Sequence, residues 1–396
     1  MSRICSPTPG LNPFTPGSGT RPPELVGRTA ELERFDLLVA RAKQRRYDRG
    51  LMLQGLRGVG KTTLLATMAD HARRHNWVVV EVEAQTSVEG AEALRRRIAK
   101  DISRAVRRRQ FAGPVANKIR QLTEEFSLSA TAFGVGVELA RSAGAEKPTL
   151  GVEFEDLVEE LTEELRKDGT ALGLFIDEMQ ELEPALLQVI LATQHRAAQR
   201  EWPFFVCGAG LPNLAQALAD ARSYAERQFD YRTIGPVADD QARDAIVTPI
   251  TRLDQDIIKE ATDYIVAASD GYPYFLQVFG HELWQAAQQS PFTLADAEDA
   301  VDTGHASLDS GFYSSRWLRA TEAEKRYLVA IARSGTDSPR TAALAEALGS
   351  NPQSMAPHRD SCIRKGLIWS PARGLVAFTV PGMADFIRRQ PNAPVI

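Results

Sequence analysis

The chemistry that this sequence concentrates most lies in two short stretches. In LMLQGLRGVGKTTLL, residues 51–65, the residues Gly55, Gly60, Lys61 and Thr62 stand at the spacing G-x-x-x-x-G-K-[ST]. Glycines at 55, 58 and 60 permit unusual backbone angles and leave no Cβ in the way, so the amides of Arg57, Gly58, Val59 and Gly60 can turn inward around an anion. A helix starting near Lys61 would aim its positive end at the same point. Lys61 suits the outer phosphates of a nucleoside triphosphate as a mobile charge. The hydroxyls of Thr62 and Thr63 lie beside it, and that of Thr62 suits an octahedral Mg²⁺. In ALGLFIDE, residues 171–178, an apolar run delivers Asp177 and Glu178 at its carboxyl end, where ligands sit in an open parallel sheet. Asp177 suits a metal held through its water shell, and Glu178 suits the orientation or polarisation of an attacking water. ATP and Mg²⁺ are the cofactors this pairing calls for.

Elements of regular structure must position these groups. Leu51–Leu53 reads as a buried parallel strand running into the glycine-rich turn, with helical spacing resuming after Thr63. Residues 77–82 (WVVVEV) and 203–207 (PFFVC) read as further strands, and 231–234 as a short fifth. Helices are expected over 29–42 with Thr29 as cap, over 90–111, 154–166, 184–200, and 214–229. The helix at 90–111 is dense in arginine, a pattern compatible with phosphate contacts or a solvated face; the helix at 154–166 has an acidic outer face that the basic helix could meet. Residues 126–139 alternate around Gly134 and Gly136 and suggest a β-hairpin or an extended insertion. From Pro236 the pattern turns wholly helical. After Thr321 three helices, a two-stranded hairpin and a last helix follow, with Pro357 expected to shorten the third helix. Three helices and a wing read as a winged helix, offering Gln353, Ser354, His358, Arg359, Arg364, Lys365 and Arg373 to DNA or to a protein.

Bulk properties narrow the class. With 396 residues the chain is long enough for two or three domains, and a net charge of -4 argues against wholesale coating of nucleic acid while leaving room for a local basic patch. Apolar runs fall short of a membrane span and MSRICSPTPG lacks the apolar core of a signal peptide, so a cytoplasmic protein is expected. Three scattered cysteines, without a CxxC pair, read as reduced structural thiols. The first 22 residues, rich in Pro, Gly, Ser and Thr, read as a flexible leader on the surface.

With the phosphate-binding loop and its acidic strand quoted, the chain resembles the AAA+ ATPases of the STAND-like and archaeal origin-recognition type. Leu25, Val26, Gly27 and Arg28 resemble the segment that lines the adenine pocket there, and Gly271, Tyr272 and Pro273 resemble the GxP motif whose proline packs against the nucleotide. The resemblance implies an α/β fold, a P-loop NTPase sheet with a helical lid and a C-terminal winged helix, divided as 1–22, 23–235, 236–305 and 306–396. It implies an arginine finger acting on a neighbouring subunit, for which Arg227 comes first and Arg222 second. The sequence departs from the family in two places: the polar sensor after the fourth strand is replaced by Cys207, Gly208 and Ala209, and the lid lacks its sensor arginine. Slow hydrolysis, closer to a switch than to a motor, is the expectation that follows. Two other readings stay open, a DNA-binding regulator that holds ATP and hardly hydrolyses it, and a signalling scaffold whose winged helix docks a protein.

Overall fold

The computed structural model describes residues 7–17, 19–85, 88–109, 111, 113–128, 150–391 and 394. Five strands, β1 (Gly50–Gln54), β2 (Val78–Glu83), β3 (Leu172–Asp177), β4 (Phe204–Gly210) and β5 (Phe229–Thr233), form one parallel sheet in the order β2-β3-β4-β1-β5. Such strands are buried on both faces, and their side chains alternate between two apolar cores. Leu51, Leu53, Phe175, Phe205 and Cys207 enter one core, with the helix after the P-loop; Met52, Leu174, Ile176, Phe204 and Val206 enter the other, with Leu157, Leu161 and Ile190 of two outer helices. This is the P-loop NTPase fold expected from the sequence. Because β1 lies between β4 and β5, its carboxyl end opens where the sheet order reverses, and the P-loop stands there.

The expected helices form, with some shifts. Pro184–Arg200 starts as read, because Pro184 occupies the first turn and the Glu183 carboxylate accepts from the amides of Ala185 and Leu186. The first helix runs Thr29–Lys43, but Thr29 is its first residue and Arg28 its cap. A helix at Gly113–Leu128 departs from the expected pattern; in its last turn Phe126 packs on Phe154. Its Lys118 pairs with Glu160, so the acidic face of the Leu150–Lys167 helix meets this element and, through Glu155, Arg196. The arginines of the basic helix, Val88–Arg108, partly pair along their own helix, Arg97 and Arg104 with Asp101. Beyond Leu128 the hairpin expected at 126–139 lies outside the described residues.

After the sheet come four helices, Asp239–Thr251, Lys259–Ser269, Pro273–Ala286 and Leu294–Ser307, then a π-helical stretch Leu308–Tyr313 and a short helix Ser314–Leu318. The C-terminal helices are Glu322–Arg333, Thr341–Ala347 and Pro352–Arg364, followed by antiparallel β6 (Ile368–Trp369) and β7 (Ala377–Phe378) and the helix Met383–Arg389. Thr321 caps the first of these in a reciprocal pair with Glu324. Pro357 does not shorten the third, which runs through it for 13 residues.

Within the expected surface leader, residues 7–17 lie along the helix Pro273–Ala286, mostly exposed but held at particular points. The Phe14 ring is buried over Gly280, where a Cβ would come within 2.6 Å of it. Burying that ring contributes roughly 1.5–3 kcal/mol, which a composition rich in Pro and Gly concealed.

Candidate functional site

Gly58 and Gly60 take φ values of 88° and 90°, the left-handed backbone the loop requires, and a Cβ on Gly55 would lie 2.1 Å from the Ile234 carbonyl oxygen. The loop is thus wedged against the end of β5. From it Lys61 begins a helix, Lys61–Arg74, and its ammonium donates to the Leu56 carbonyl at 2.9 Å. Burial drives the Lys61 pKa down to about 8, against the pull of Glu178 and Asp177. The Thr62 hydroxyl donates to Asp177 Oδ2 at 2.6 Å, so the hydroxyl and the carboxylate expected to share a metal already meet.

These two oxygen donors are hard ligands of the kind Mg²⁺ takes. A pair of this size, one hydroxyl and one carboxylate, suits an ion that takes its other ligands from phosphate and water.

Glu178 holds a left-handed backbone at φ 48°, a strain of about 1–3 kcal/mol for a residue with a side chain. Its carboxylate is engaged on both oxygens. Arg57 Nη1 lies 3.0 Å from Oε1, and Gln180 Nε2 donates to Oε2 at 2.6 Å. Gln180 in turn accepts from the amide of Leu211, at the tip of β4. That strand runs on through Gly210, beyond the Cys207 end read from sequence, and is buried throughout. Burial pushes the Cys207 thiol up to about 12, and a Cβ on Gly208 would meet the sulfurs of Met179 and Met52 at 2.6 and 2.8 Å. The polar group beside the tip of β4 therefore comes from Gln180.

A cavity of about 580 Å³ opens over the loop. Arg57, Gly58, Val59, Gly60, Lys61 and Thr62 form its floor, joined by Thr63, Glu178, Val26, Arg28 and, from the lid, Pro273. Gly27 and Gly55 lie outside its lining and act through the backbone: Gly27, at φ 66°, packs against Val237 and Gln241. Arg28 faces the cavity, but its guanidinium donates to the carbonyls of Val59 at 3.0 Å and Gly235 at 2.6 Å, which clamps the loop to the end of the sheet. Burial lowers its pKa, with Glu31 opposing. In the lid, Tyr274 lines the cavity where Tyr272 was expected; its amide donates to the Gly58 carbonyl at 3.2 Å and its ring stacks on Phe312.

Three features of this cavity escaped the sequence reading. Leader residues such as Thr15, Gly17 and Thr20 form part of its wall. Arg316, from the short helix beyond the lid, reaches it too, lying over the Phe312 ring and donating to the Phe312 carbonyl at 2.6 Å. Burial lowers the Arg316 pKa, and neighbouring Arg57 lowers it further. The C-terminal unit also touches the loop, since the Arg57 amide donates to the Thr379 carbonyl at 3.0 Å.

Arg227 and Arg222 lie outside this assembly. The single helix expected over 214–229 is two, Leu214–Ala221 and Ala225–Gln228, and both arginines are exposed and away from the cavity of their own chain. Nearby Asp230 pairs with Arg34 and Arg232.

A parallel sheet with the P-loop at its switch point and a strand-borne Asp-Glu pair beside it defines a P-loop NTPase fold. Residues 24–207 match the family described as AAA ATPase domain, and residues 310–387 match a domain of unknown function. No curated protein matches the chain. Among solved structures it is similar to the Walker-type ATPase PABY2304 of Pyrococcus abyssi, at 15% identity over 96% of this chain and 99% of that one, with a TM-score of 0.58. It is also similar to the Aeropyrum pernix Orc1 protein in complex with DNA, at 16% identity over 97% and 96%, with a TM-score of 0.48. The likeness to the Pyrococcus protein is one of fold. Among the described residues no helix is long and apolar enough to cross a membrane.

Proposed function

We propose that this protein binds and slowly hydrolyses ATP, and that nucleotide state repositions the lid and the C-terminal unit relative to the sheet. The proposed division is a core at 23–235, a lid at 236–305 and a winged helix at 306–396. One observation carries the reading: Arg57, in the phosphate-binding loop, pairs through its side chain with Glu178 and through its amide with Thr379 of the C-terminal unit. Filling the loop with phosphate bears on both contacts at once.

In this reading the loop amides and Lys61 hold the phosphates, Val26 and Pro273 border the base, and Glu178 takes up the attacking water's proton. Mg²⁺, held by Thr62 and Asp177, supplies neutralisation of phosphate charge. Arg227, exposed near the end of β4's following helices, is proposed to act on the nucleotide of a second copy. A state bound more tightly by ATP than by ADP is favoured by ATP and relaxes on hydrolysis. Replacing Glu178 by Gln tests this: ATP should bind within about threefold of normal while turnover falls at least 100-fold. Turnover that survives the substitution removes Glu178 from the step, and a wild type without turnover removes the ATPase assignment. Light scattering with ATP and with Arg227→Ala tests the shared site; a monomer under all conditions removes it.

The DNA-binding alternative draws on the exposed Arg364 and Arg373 of the C-terminal unit. Against it, Lys365 is paired with Glu324 and Arg359 with Asp360. DNA affinity that falls steeply with salt would favour it.

A further inference from the structure

We infer that the N-terminal leader is part of the nucleotide site, a strap across the cavity that sets how long a nucleoside triphosphate stays bound. The inference rests on the reading of that cavity as a nucleotide site.

The strap is anchored at both ends to different parts of the molecule. On the lid side, the Trp284 indole donates to the Thr8 carbonyl at 3.0 Å, and Asn12 Nδ2 donates to the His281 carbonyl at 3.1 Å. The Phe14 amide donates back to Asn12 Oδ1, a local turn that sets the ring into its groove over Gly280. One residue later the Thr15 amide donates to Gln277 Oε1 at 3.3 Å, at the cavity wall. On the core side, Gly19 comes so near Thr62 that a Cβ there would lie 3.7 Å from its methyl group. Arg21 then pairs with Asp70 of the P-loop helix at 2.7 Å. In between, Thr15, Pro16, Gly17, Gly19 and Thr20 border the cavity.

A segment tied to the lid at one end and to the P-loop helix at the other, with Thr15, Pro16, Gly17, Gly19 and Thr20 on the cavity wall, is placed to contact a nucleotide held there. The two anchors differ in kind. Phe14 is fully buried among apolar side chains, whereas the Arg21–Asp70 pair is solvent-exposed on both sides and weak. The core end should therefore lift first, hinged on Phe14, and a bound nucleotide contacting the strap should hold it down.

The test is stopped-flow release of a fluorescent N-methylanthraniloyl-ATP from the full chain, for the wild type, Phe14→Ala and Gly280→Ala. Gly280→Ala dislodges the ring from the opposite side, and alanine favours the helix that carries it, so the two variants disturb the strap by independent routes. Both should raise the dissociation rate about tenfold with little change in association rate, and hydrogen exchange over residues 8–17 should confirm that the strap has loosened. Arg21→Ala should raise the rate by a smaller factor. Dissociation unchanged in both variants with a loosened strap overturns the inference. If the wild type itself takes up none of the analogue, the nucleotide reading falls and the inference with it; wild-type binding that is lost in Lys61→Ala keeps the reading while the strap is judged on its own.

Discussion

Arg57 Nη1 lies 3.0 Å from Glu178 Oε1, so the carboxylate best placed to activate water is held by a cation from the phosphate-binding loop itself. With Gln180 on the other oxygen, the Glu178 carboxylate is held in place by two tethers and turns towards a water only when one is released. Arg57→Met is therefore expected to raise kcat several-fold at saturating ATP. The double variant with Glu178→Gln should be as inactive as Glu178→Gln alone. Steady-state phosphate release decides the matter, and a kcat that falls in Arg57→Met would show that the arginine assists hydrolysis.

Lys61 should make ATP affinity depend on pH. Its pKa, depressed to about 8 by burial, leaves it charged below that value and neutral above. Affinity should thus be flat below pH 8 and weaken above it, with a proton taken up on binding. In the nucleotide-free protein the same group makes folding more favourable as pH climbs from about 8, because the unfolded chain then holds more protons than the native one. Calorimetric titration in two buffers of different ionisation enthalpy measures the uptake. Lys61→Arg, which keeps its charge, should flatten the profile.

Arg316 has a carbonyl and an aromatic ring for partners, faces the cavity, and stands near Arg57. A third cation there is expected to favour the more highly charged nucleotide. Arg316→Ala should weaken ATP about tenfold and ADP by less than twofold, as read by equilibrium binding. Equal losses for the two would place its contact away from the terminal phosphate.

In the C-terminal unit Glu324 is almost fully buried, and burial works against its charge. Hydrogen bonds from Lys365, Ser361 and the Thr321 amide outweigh that cost and hold its pKa at about 2. The stability it supplies is present above the ordinary glutamate value and is lost as pH falls from about 4.5 towards 2. Denaturant midpoints across that range should drop less in Glu324→Gln than in the wild type. Lys365→Met, which leaves a buried carboxylate unpaired, should cost about 3 kcal/mol at neutral pH.

Local signals made the centre of the site legible. The P-loop glycines, Lys61, Thr62 and the Asp177–Glu178 pair sit within a few residues of the strand ends that position them, so spacing and apolar runs were enough. What escaped the reading depends on contacts far apart in the chain. Phe14 finds its groove at Gly280, and Arg316 reaches the cavity from beyond the lid. Gln180 stands two residues from Glu178, yet its value comes from the amide of Leu211 just beyond β4. Arg28, read as a nucleotide contact from the resemblance of Leu25 to Arg28 to an adenine-lining segment, lines the cavity while its guanidinium donates to the carbonyls of Val59 and Gly235, partners that the sequence does not name. The helix Gly113–Leu128 has weaker apolar spacing than its neighbours and is fixed by packing Ile119 and Phe126 into the core.

One apolar core runs without a break from Phe14 through Leu53 and Phe279 to Tyr327 and Phe386. Leader, one face of the sheet, lid and C-terminal unit therefore share that core, and heating should melt them together in one calorimetric transition. A chain cut after residue 305 would turn the lid's covered surface, from Tyr274 beside Phe312 onward, to water. The missing segment would be felt as insolubility before it was felt as altered activity.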